Sequence, residues 1–130
     1  MSSPPQETLR IVDELIDAWN RRDLDAVLVH MHPECETRGA EVTEPVRGHA
    51  GLAAAFRDWF EAFDEFTIEQ EDRVEQGDRV LVTMRQRARG RGSGLEVEER
   101  FYQLFTLRDG KVFRFEEFSD EADARRALRG

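Results

Sequence analysis

The chain contains one cysteine, Cys35, and no apolar run long enough to span a bilayer. A single cysteine cannot form an intramolecular disulfide, so the sequence gives no sign of export chemistry. Residues 1–7 lack the basic and apolar segments of a secretion signal. The sequence therefore predicts a soluble, cytoplasmic protein in which Cys35 is a small buried residue.

The chain also lacks a net positive charge, since its 28 Asp and Glu residues outnumber its 19 Lys and Arg residues, the formal net charge is -9 and the isoelectric point is near 4.9. Binding to nucleic acid or to an anionic membrane depends on neutralising phosphates with Lys and Arg, so we expect neither partner. The run Arg85, Arg87, Arg89 and Arg91 is the one counter-signal. Its alternate spacing predicts the solvent face of a strand.

The 130 residues predict one domain that spans residues 1–130. Ser3 with Gln6 predicts the start of a first helix, whose apolar stripe ends at Trp19. Asp23 predicts the cap of a second helix that runs through Met31 and is ended by Pro33.

A third helix with an aromatic stripe is predicted over His49–Phe63, and strands follow it. The predicted strands are Glu34 to Thr37, Phe66 to about Val74, one from Val80, and Leu95 to Leu107, before a last helix capped by Ser119. Helices followed by strands indicate an α+β fold, with a curved antiparallel sheet around three N-terminal helices and a short C-terminal helix. Such a cone encloses a pocket.

The last two strands, Phe101–Leu107 and Val112–Phe118, flank Asp109-Gly110 and predict a hairpin. A two-residue turn would pair Gln103 with Glu116 and put Glu117 on the other face. A three-residue loop with a bulged glycine would pair Gln103 with Phe115 and would bring Gln103 and Glu117 to one face. The residues alone leave both registers open.

Several segments resemble the SnoaL-like branch of the nuclear transport factor 2-like superfamily, which includes ketosteroid isomerase and limonene epoxide hydrolase. The residues that carry the resemblance are Ala18–Val27, His32-Pro33-Glu34, Arg47-Gly48, Gly77–Val80 and Phe105–Val112, with Phe115 and Phe118 behind them. The resemblance covers nearly the whole chain and favours the bulged hairpin. It implies the fold more strongly than the function, because this superfamily contains enzymes, ligand binders and adaptors.

Comparison with ketosteroid isomerase implies that its catalytic residues are lost here. Its tyrosine falls on Leu15, its general base on Gly39 next to Arg38, and its protonated aspartate at or beside Gln103. Leu15 and Gly39 cannot move a proton, and a glutamine can donate a hydrogen bond but cannot act as an acid. We therefore expect no ketosteroid isomerisation.

Comparison with limonene epoxide hydrolase implies that one acid is kept. The arginine of that enzyme falls near Met84, its first aspartate near Gln86, and its second aspartate on Glu117. Glu117 is therefore the candidate catalytic residue. If it is buried among aromatic rings, burial should raise its pKa and fit it for acid or base catalysis near neutral pH.

The resemblance implies a pocket in which these polar groups lie among apolar side chains. The expected substrate-binding residues are Gln103, Gln86, Leu15, Trp19, Phe56, Phe60, Met84, Phe101, Phe105 and Phe115. The competing interpretation is that Glu117 points to solvent and that the aromatic residues are core.

A metal site is not expected, although His30, His32, Glu34 and Glu36 are close in sequence. They straddle a helix end, where their side chains need not converge. Two functions are left open. One is a cofactor-independent enzyme that acts on a small apolar metabolite, and the other is a noncatalytic ligand-binding or homodimerisation module. The homodimer is expected to form through the outer sheet face at Tyr102 and Leu104.

Overall fold

The computed structural model describes residues 5–38 and 45–130, and it describes the side chains from residue 7 onward. Its elements, in chain order, are α1 (Pro5–Asn20), α2 (Leu24–Val29), β1 (Met31–Arg38), β2 (Val46–Arg47), α3 (Gly48–Ala62), β3 (Phe63–Gln76), β4 (Arg79–Gly90), β5 (Glu96–Arg108), β6 (Lys111–Phe118) and α4 (Glu121–Arg129). The helix start predicted at Ser3 lies outside the described residues.

The six strands form one curved, open sheet in the order β2-β1-β6-β5-β4-β3. Neighbouring strands are antiparallel except for β1 and β6, which run parallel. The α+β fold predicted from the sequence is confirmed, with this one parallel pair added. None of the helices in the described ranges is long and apolar enough to cross a bilayer.

The second helix is shorter than predicted. The Asp23 carboxylate accepts a hydrogen bond from the Ala26 N–H at 3.1 Å, as expected of the cap, but α2 ends at Val29. Met31 instead begins β1, where it pairs with Val112. Pro33 lies inside β1, in the stretch between Met31 and Glu36 where pairing with β6 is irregular, so its missing N–H is tolerated.

The last helix is capped one residue later than predicted. The Asp120 carboxylate, and not the Ser119 hydroxyl, accepts hydrogen bonds from the N–H groups of Ala122 and Asp123, at 2.7 and 3.4 Å. A carboxylate is favoured here because the helix N-terminus is positive.

The concave face of the sheet packs against α1, α2 and α3. Buried apolar side chains from both sides form this core, among them Val12, Leu15, Leu52, Val82, Met84 and Phe105. The convex face carries the predicted arginine run. Arg85 pairs with Glu98 at 3.0 Å, and Arg89 pairs with Glu65 at 2.9 Å, so the alternate arginines do lie outside the core.

Helix α4 covers part of the convex face, where the sequence led us to expect a dimer contact at Tyr102 and Leu104. Leu104 is fully buried there, in a cluster with Leu81, Ala124 and Leu128, and Tyr102 packs against the same cluster. The Arg79 guanidinium holds the helix end by donating to the carbonyls of Ala127 and Leu128 at 3.0 Å. Leu104 is therefore not available to a second copy of the chain.

The closing hairpin follows neither predicted register. Asp109 and Gly110 both have positive φ, 55° and 74°, as a two-residue type I′ turn requires. Arg108 pairs with Lys111 and Leu107 with Val112, but Thr106 then pairs with Arg114, so Phe113 is an extra residue in β6. The bulge lies in the strand and not at Gly110. Beyond the bulge, Gln103 pairs with Glu117, so both side chains lie on one face of the sheet. The three-residue loop had predicted this shared face, although with different pairing partners.

Candidate functional site

A cavity of about 360 Å³ lies between the helices and the concave face of the sheet. Its helical wall is apolar or aromatic, with Leu15, Ile16, Trp19, Val27, Ala55, Phe56 and Trp59. Its polar lining residues, Thr37, Gln86, Glu99, Gln103 and Glu117, all lie on strands. The cavity therefore has an apolar side made by helices and a polar stripe made by the sheet.

Most of the predicted site residues meet at this cavity. Leu15, Trp19, Phe56, Met84, Gln86, Phe101, Gln103, Phe105, Phe115 and Glu117 all line it. Phe60 is the exception. It follows Phe56 by one helical turn, stacks on Phe66 at 5.5 Å and packs against Trp19 at 4.7 Å, behind the lining residues.

Two glutamine and glutamate pairs form the polar stripe. Gln103 lies directly opposite Glu117, and Gln86 lies directly opposite Glu99. Side chains in such cross-strand pairs have Cβ atoms about 5 Å apart. Glu99 and Gln103 are four residues apart on β5, which separates the two pairs by about 13 Å. The two carboxylates are therefore too far apart to share a proton, and each lies opposite a different glutamine.

Glu117 lines the cavity but is also exposed to solvent. The burial among aromatic rings that the sequence led us to expect is therefore absent. The alternative that the aromatic residues are core holds in part, because Phe101, Phe105 and Phe115 belong to the buried core and also line the cavity. Glu117 thus lies where the cavity meets solvent, with apolar walls behind it.

Trp19 is at the centre of an aromatic cluster beside the cavity. Its ring centroid lies 5.1 Å from Phe56, 5.3 Å from Trp59, 4.7 Å from Phe60 and 6.0 Å from Phe66. Its indole Nε1 is buried and has no hydrogen-bond partner among the described residues.

Leu15 and Arg38 lie at, and next to, two positions that the sequence comparison matched to catalytic residues of the isomerase. Leu15 lines the cavity with an apolar side chain, and the position of the general base, Gly39, lies outside the described residues. The Arg38 guanidinium lies 3.4 Å from the buried Glu36 carboxylate. Glu36 also pairs with Arg47 at 3.1 Å and with Arg114 at 2.9 Å, so this group of charges links β2, β1 and β6.

The candidate metal ligands do not converge. His30 Nε2 lies 3.5 Å from Glu14, and His32 Nε2 lies 4.0 Å from Asp109. Within residues 5–38 and 45–130, no group of three or more His, Cys, Asp and Glu side chains could hold a metal ion. Cys35 is buried, and burial, together with the neighbouring Glu36, raises the pKa of its thiol to about 12.

Sequence reasoning missed Glu99, Thr37 and several apolar lining residues. Glu99 could have been found, because it alternates with Phe101 and Gln103 along β5 and must share their face. Thr37 could not, since its place depends on the parallel pairing of β1 with β6, where it lies opposite Phe115.

Comparison with solved structures gives the same fold. A putative SnoaL-like polyketide cyclase from Jannaschia sp. CCS1 is 25% identical, with a TM-score of 0.81 over 98% of this chain and 96% of that one. A limonene epoxide hydrolase-like enzyme from Mycobacterium tuberculosis is 20% identical, with a TM-score of 0.76 over 96% and 92%. TerC, co-crystallised with polyporic acid, is 22% identical, with a TM-score of 0.78 over 95% and 99%.

None of the curated proteins matches the chain in sequence. The model of the SnoaL-like domain family matches residues 12–115, which include α2, α3, β1 to β5 and most of α1 and β6. The matched span also contains every lining residue of the cavity except Glu117. The chain belongs to the SnoaL-like domain family.

Proposed function

We propose that the cavity binds a small, largely apolar molecule that carries an oxygen function, with Gln103 and Glu117 as its polar contacts. The observation that carries this is the division of the cavity between an apolar helical wall and a polar stripe on the sheet. Burial of apolar ligand surface provides affinity, and a few polar groups fix the orientation of the ligand. The Gln103 amide can donate to a ligand carbonyl or hydroxyl while the Glu117 carboxylate accepts.

The reaction we propose is a proton transfer or water activation by Glu117, without a cofactor. Glu117 faces the cavity and is open to water, so it can exchange protons both with a bound molecule and with solvent. Isomerisation, cyclisation and hydrolysis all fit such a group, and structural relatives include a putative polyketide cyclase and an epoxide hydrolase-like enzyme. Ketosteroid isomerisation is not part of the proposal, because Leu15 replaces the proton donor.

Noncatalytic ligand binding is the second candidate function. The observation that favours it is the exposure of Glu117, because catalytic acids and bases are more often enclosed in a cleft away from bulk water. A homodimer in the cytoplasm completes the proposal by analogy with relatives. Its contact surface must differ from Leu104, which α4 buries.

Glu116 provides a matched control for Glu117. The two are adjacent acids on β6 whose side chains leave opposite faces of the sheet, and only Glu117 lines the cavity. We would screen small apolar ketones, lactones and epoxides by thermal shift against the wild type, Glu117→Gln and Glu116→Gln. We expect compounds that stabilise the wild type and Glu116→Gln alike, with a changed response in Glu117→Gln.

Turnover of the stabilising compounds then separates the two candidates. Loss of turnover in Glu117→Gln alone would support catalysis, whereas binding without turnover in any variant would leave the noncatalytic function. If no compound stabilises any of the three proteins, the ligand-binding proposal is wrong.

A further inference from the structure

The charged side chains that line the cavity are all acidic. Glu99 and Glu117 line it, and none of its other described lining residues is Lys, Arg or His. The chain as a whole carries a formal net charge of -9. A cleft whose walls carry charge of one sign raises the local concentration of ligands of the opposite sign. The electrostatic character of the cavity therefore favours a cation over an anion.

The arginines on β4 and β5 do not neutralise Glu99. Arg85 and Arg100 lie on the convex face, where Arg85 pairs with Glu98 at 3.0 Å and Arg100 pairs with Glu71 at 2.8 Å. No ion pair within residues 5–38 and 45–130 includes Glu99. The carboxylate that faces the cavity is therefore available to a positively charged group on a bound molecule.

An indole ring lies at the same end of the cavity as Glu99. The Trp59 ring lines the cavity, and its centroid is 4.5 Å from that of Phe66. Phe66 pairs with Ala88, two residues along β4 from Gln86, and Gln86 pairs with Glu99. Two residues advance a strand by about 7 Å, so the ring and the carboxylate belong to one end of the cavity.

We infer that the ligand carries an organic ammonium group, which lies between the Glu99 carboxylate and the Trp59 ring. This inference rests on the proposed function and adds a second polar end to its ligand. The face of an aromatic ring attracts a cation, and tryptophan does so most strongly. The Gln86 side-chain oxygen can accept from an N–H of the ammonium group, where it has one. The oxygen function of the ligand meets Gln103, about 13 Å away along β5.

A metal ion does not fit this end of the cavity. A metal ion needs several oxygen or nitrogen ligands, and no group of three or more His, Cys, Asp and Glu side chains in the described part of the chain could hold one. One carboxylate beside aromatic rings is instead the arrangement that recognises an organic ammonium group.

Two probes of matched size and shape separate charge from burial of apolar surface. Both are six-carbon chains with a hydroxyl group at one end. The other end is a trimethylammonium group in the ammonium alcohol and a tert-butyl group in the neutral alcohol. Trp19 and Trp59 are the two tryptophans of the chain, and both line the cavity, so tryptophan fluorescence can follow the binding of either probe.

Glu99→Gln removes the carboxylate with little change of shape, and Glu98→Gln is its matched control. The two acids are adjacent on β5, but Glu98 lies on the convex face beside Arg85, so both variants change the net charge equally and only one changes the cavity. We expect Glu99→Gln to weaken binding of the ammonium alcohol about 2- to 5-fold, as one partly exposed ion pair predicts. Binding of the neutral alcohol should stay nearly constant, and Glu98→Gln should change neither.

A second measurement locates the ammonium group directly. Its methyl protons are equivalent and give one strong signal, whose nuclear Overhauser contacts report the protons around it. We expect contacts with the ring protons of Trp59, which are identified by their absence from the Trp59→Phe variant. Contacts with Phe105 and Phe115 alone would place the group at the Gln103 end of the cavity and would contradict the inference.

Failure of this inference is distinguishable from failure of the proposed function. If the neutral alcohol binds the wild type and the ammonium alcohol does not, the ammonium site is wrong while the binding cavity stands. The same holds if Glu99→Gln and Glu98→Gln weaken binding of the ammonium alcohol equally, or if only Glu117→Gln weakens it. If neither probe binds the wild type, the proposed function and this inference are both contradicted.

Discussion

Glu117 lies directly opposite Gln103 on the cavity face of the sheet, although the two-residue turn between their strands would by itself pair Gln103 with Glu116. The extra residue Phe113 makes the difference. Its ring is held by the Arg108 guanidinium at 3.7 Å and by an edge-to-face contact with His32 at 5.3 Å. These two contacts stabilise the bulge and thereby turn Glu117 toward the cavity.

A cross-strand disulfide would test this register. We expect the double variant Gln103→Cys/Glu117→Cys to form a disulfide on mild oxidation, because directly opposite residues have Cα atoms about 5 Å apart. The double variant Gln103→Cys/Glu116→Cys should stay reduced, because its cysteines face opposite sides of the sheet. Thiol titration and peptide mass analysis report the bond. Cys35 should not interfere, since a buried thiol with a pKa of about 12 stays protonated. A disulfide in the second variant alone would contradict the observed register.

Local signals predicted most of the fold. Apolar periodicity located α1 and α3, the Asp23 cap located the start of α2, and Asp109-Gly110, both with positive φ, located the turn of the closing hairpin. The misjudged features depend on contacts distant in sequence. The early end of α2 follows from the pairing of Met31 with Val112, and the burial of Leu104 follows from the docking of α4. Neither contact leaves a pattern in its own segment.

The candidate site was predicted about as well as the fold. The family resemblance predicted that Gln86, Gln103 and Glu117 share a pocket, and in the structure all three line the same cavity. The exposure of Glu117 was not predictable, because it depends on the depth of the cavity and not on the neighbours along the strand. The Trp19 N–H, which has no partner in the part of the chain that the structure describes, gives no signal in the sequence, since a helical stripe shows which side an indole faces but not what its nitrogen contacts.

Leu104 should be far more important for stability than its place on the convex face suggests. It is fully buried under α4, whereas Leu95 is 67% exposed. We expect Leu104→Ala to lower the free energy of unfolding by about 2–5 kcal/mol, because it leaves a cavity between α4 and the sheet. Leu95→Ala should stay within about 0.5 kcal/mol of the wild type. Urea unfolding followed by circular dichroism compares them. Equal effects would mean that α4 does not dock on Leu104.

Arg22 should be a strong stability determinant outside the core. Its guanidinium donates hydrogen bonds to the carbonyls of Phe60, Phe63 and Asp64 at 3.0, 2.8 and 2.7 Å, and it lies 4.4 Å from the centre of the Phe66 ring. These bonds satisfy one backbone acceptor in the last turn of α3 and two at the start of β3.

The Arg22→Lys variant keeps the charge but loses the planar guanidinium that donates the three hydrogen bonds. We expect it to lower the free energy of unfolding by about 2 kcal/mol. Arg21→Lys changes an exposed neighbour in the same way and should shift stability by less than about 0.5 kcal/mol. Chemical denaturation measures both. Wild-type stability in the Arg22→Lys variant would show that the charge alone is sufficient.

His30 should make the protein less stable as the pH falls below neutrality. Its pKa is lowered from 6.5 chiefly because burial disfavours the charged imidazole; Glu14 raises it, while Arg10 and Lys111 lower it. The unfolded chain therefore binds a proton at a higher pH than the folded protein does. The stabilising contribution is complete above about pH 6.5, is lost as the pH falls toward the folded pKa, and is gone below it.

Urea unfolding between about pH 7.5 and pH 5.5, above the range in which most carboxylates titrate, measures this contribution. We expect His30→Gln to flatten the decline seen in the wild type. Glu14→Gln should steepen it, because the carboxylate 3.5 Å from His30 Nε2 is the group that supports the protonated ring. If the wild type instead becomes more stable on acidification and His30→Gln abolishes that gain, the pairing with Glu14 outweighs burial and the direction of the shift is wrong.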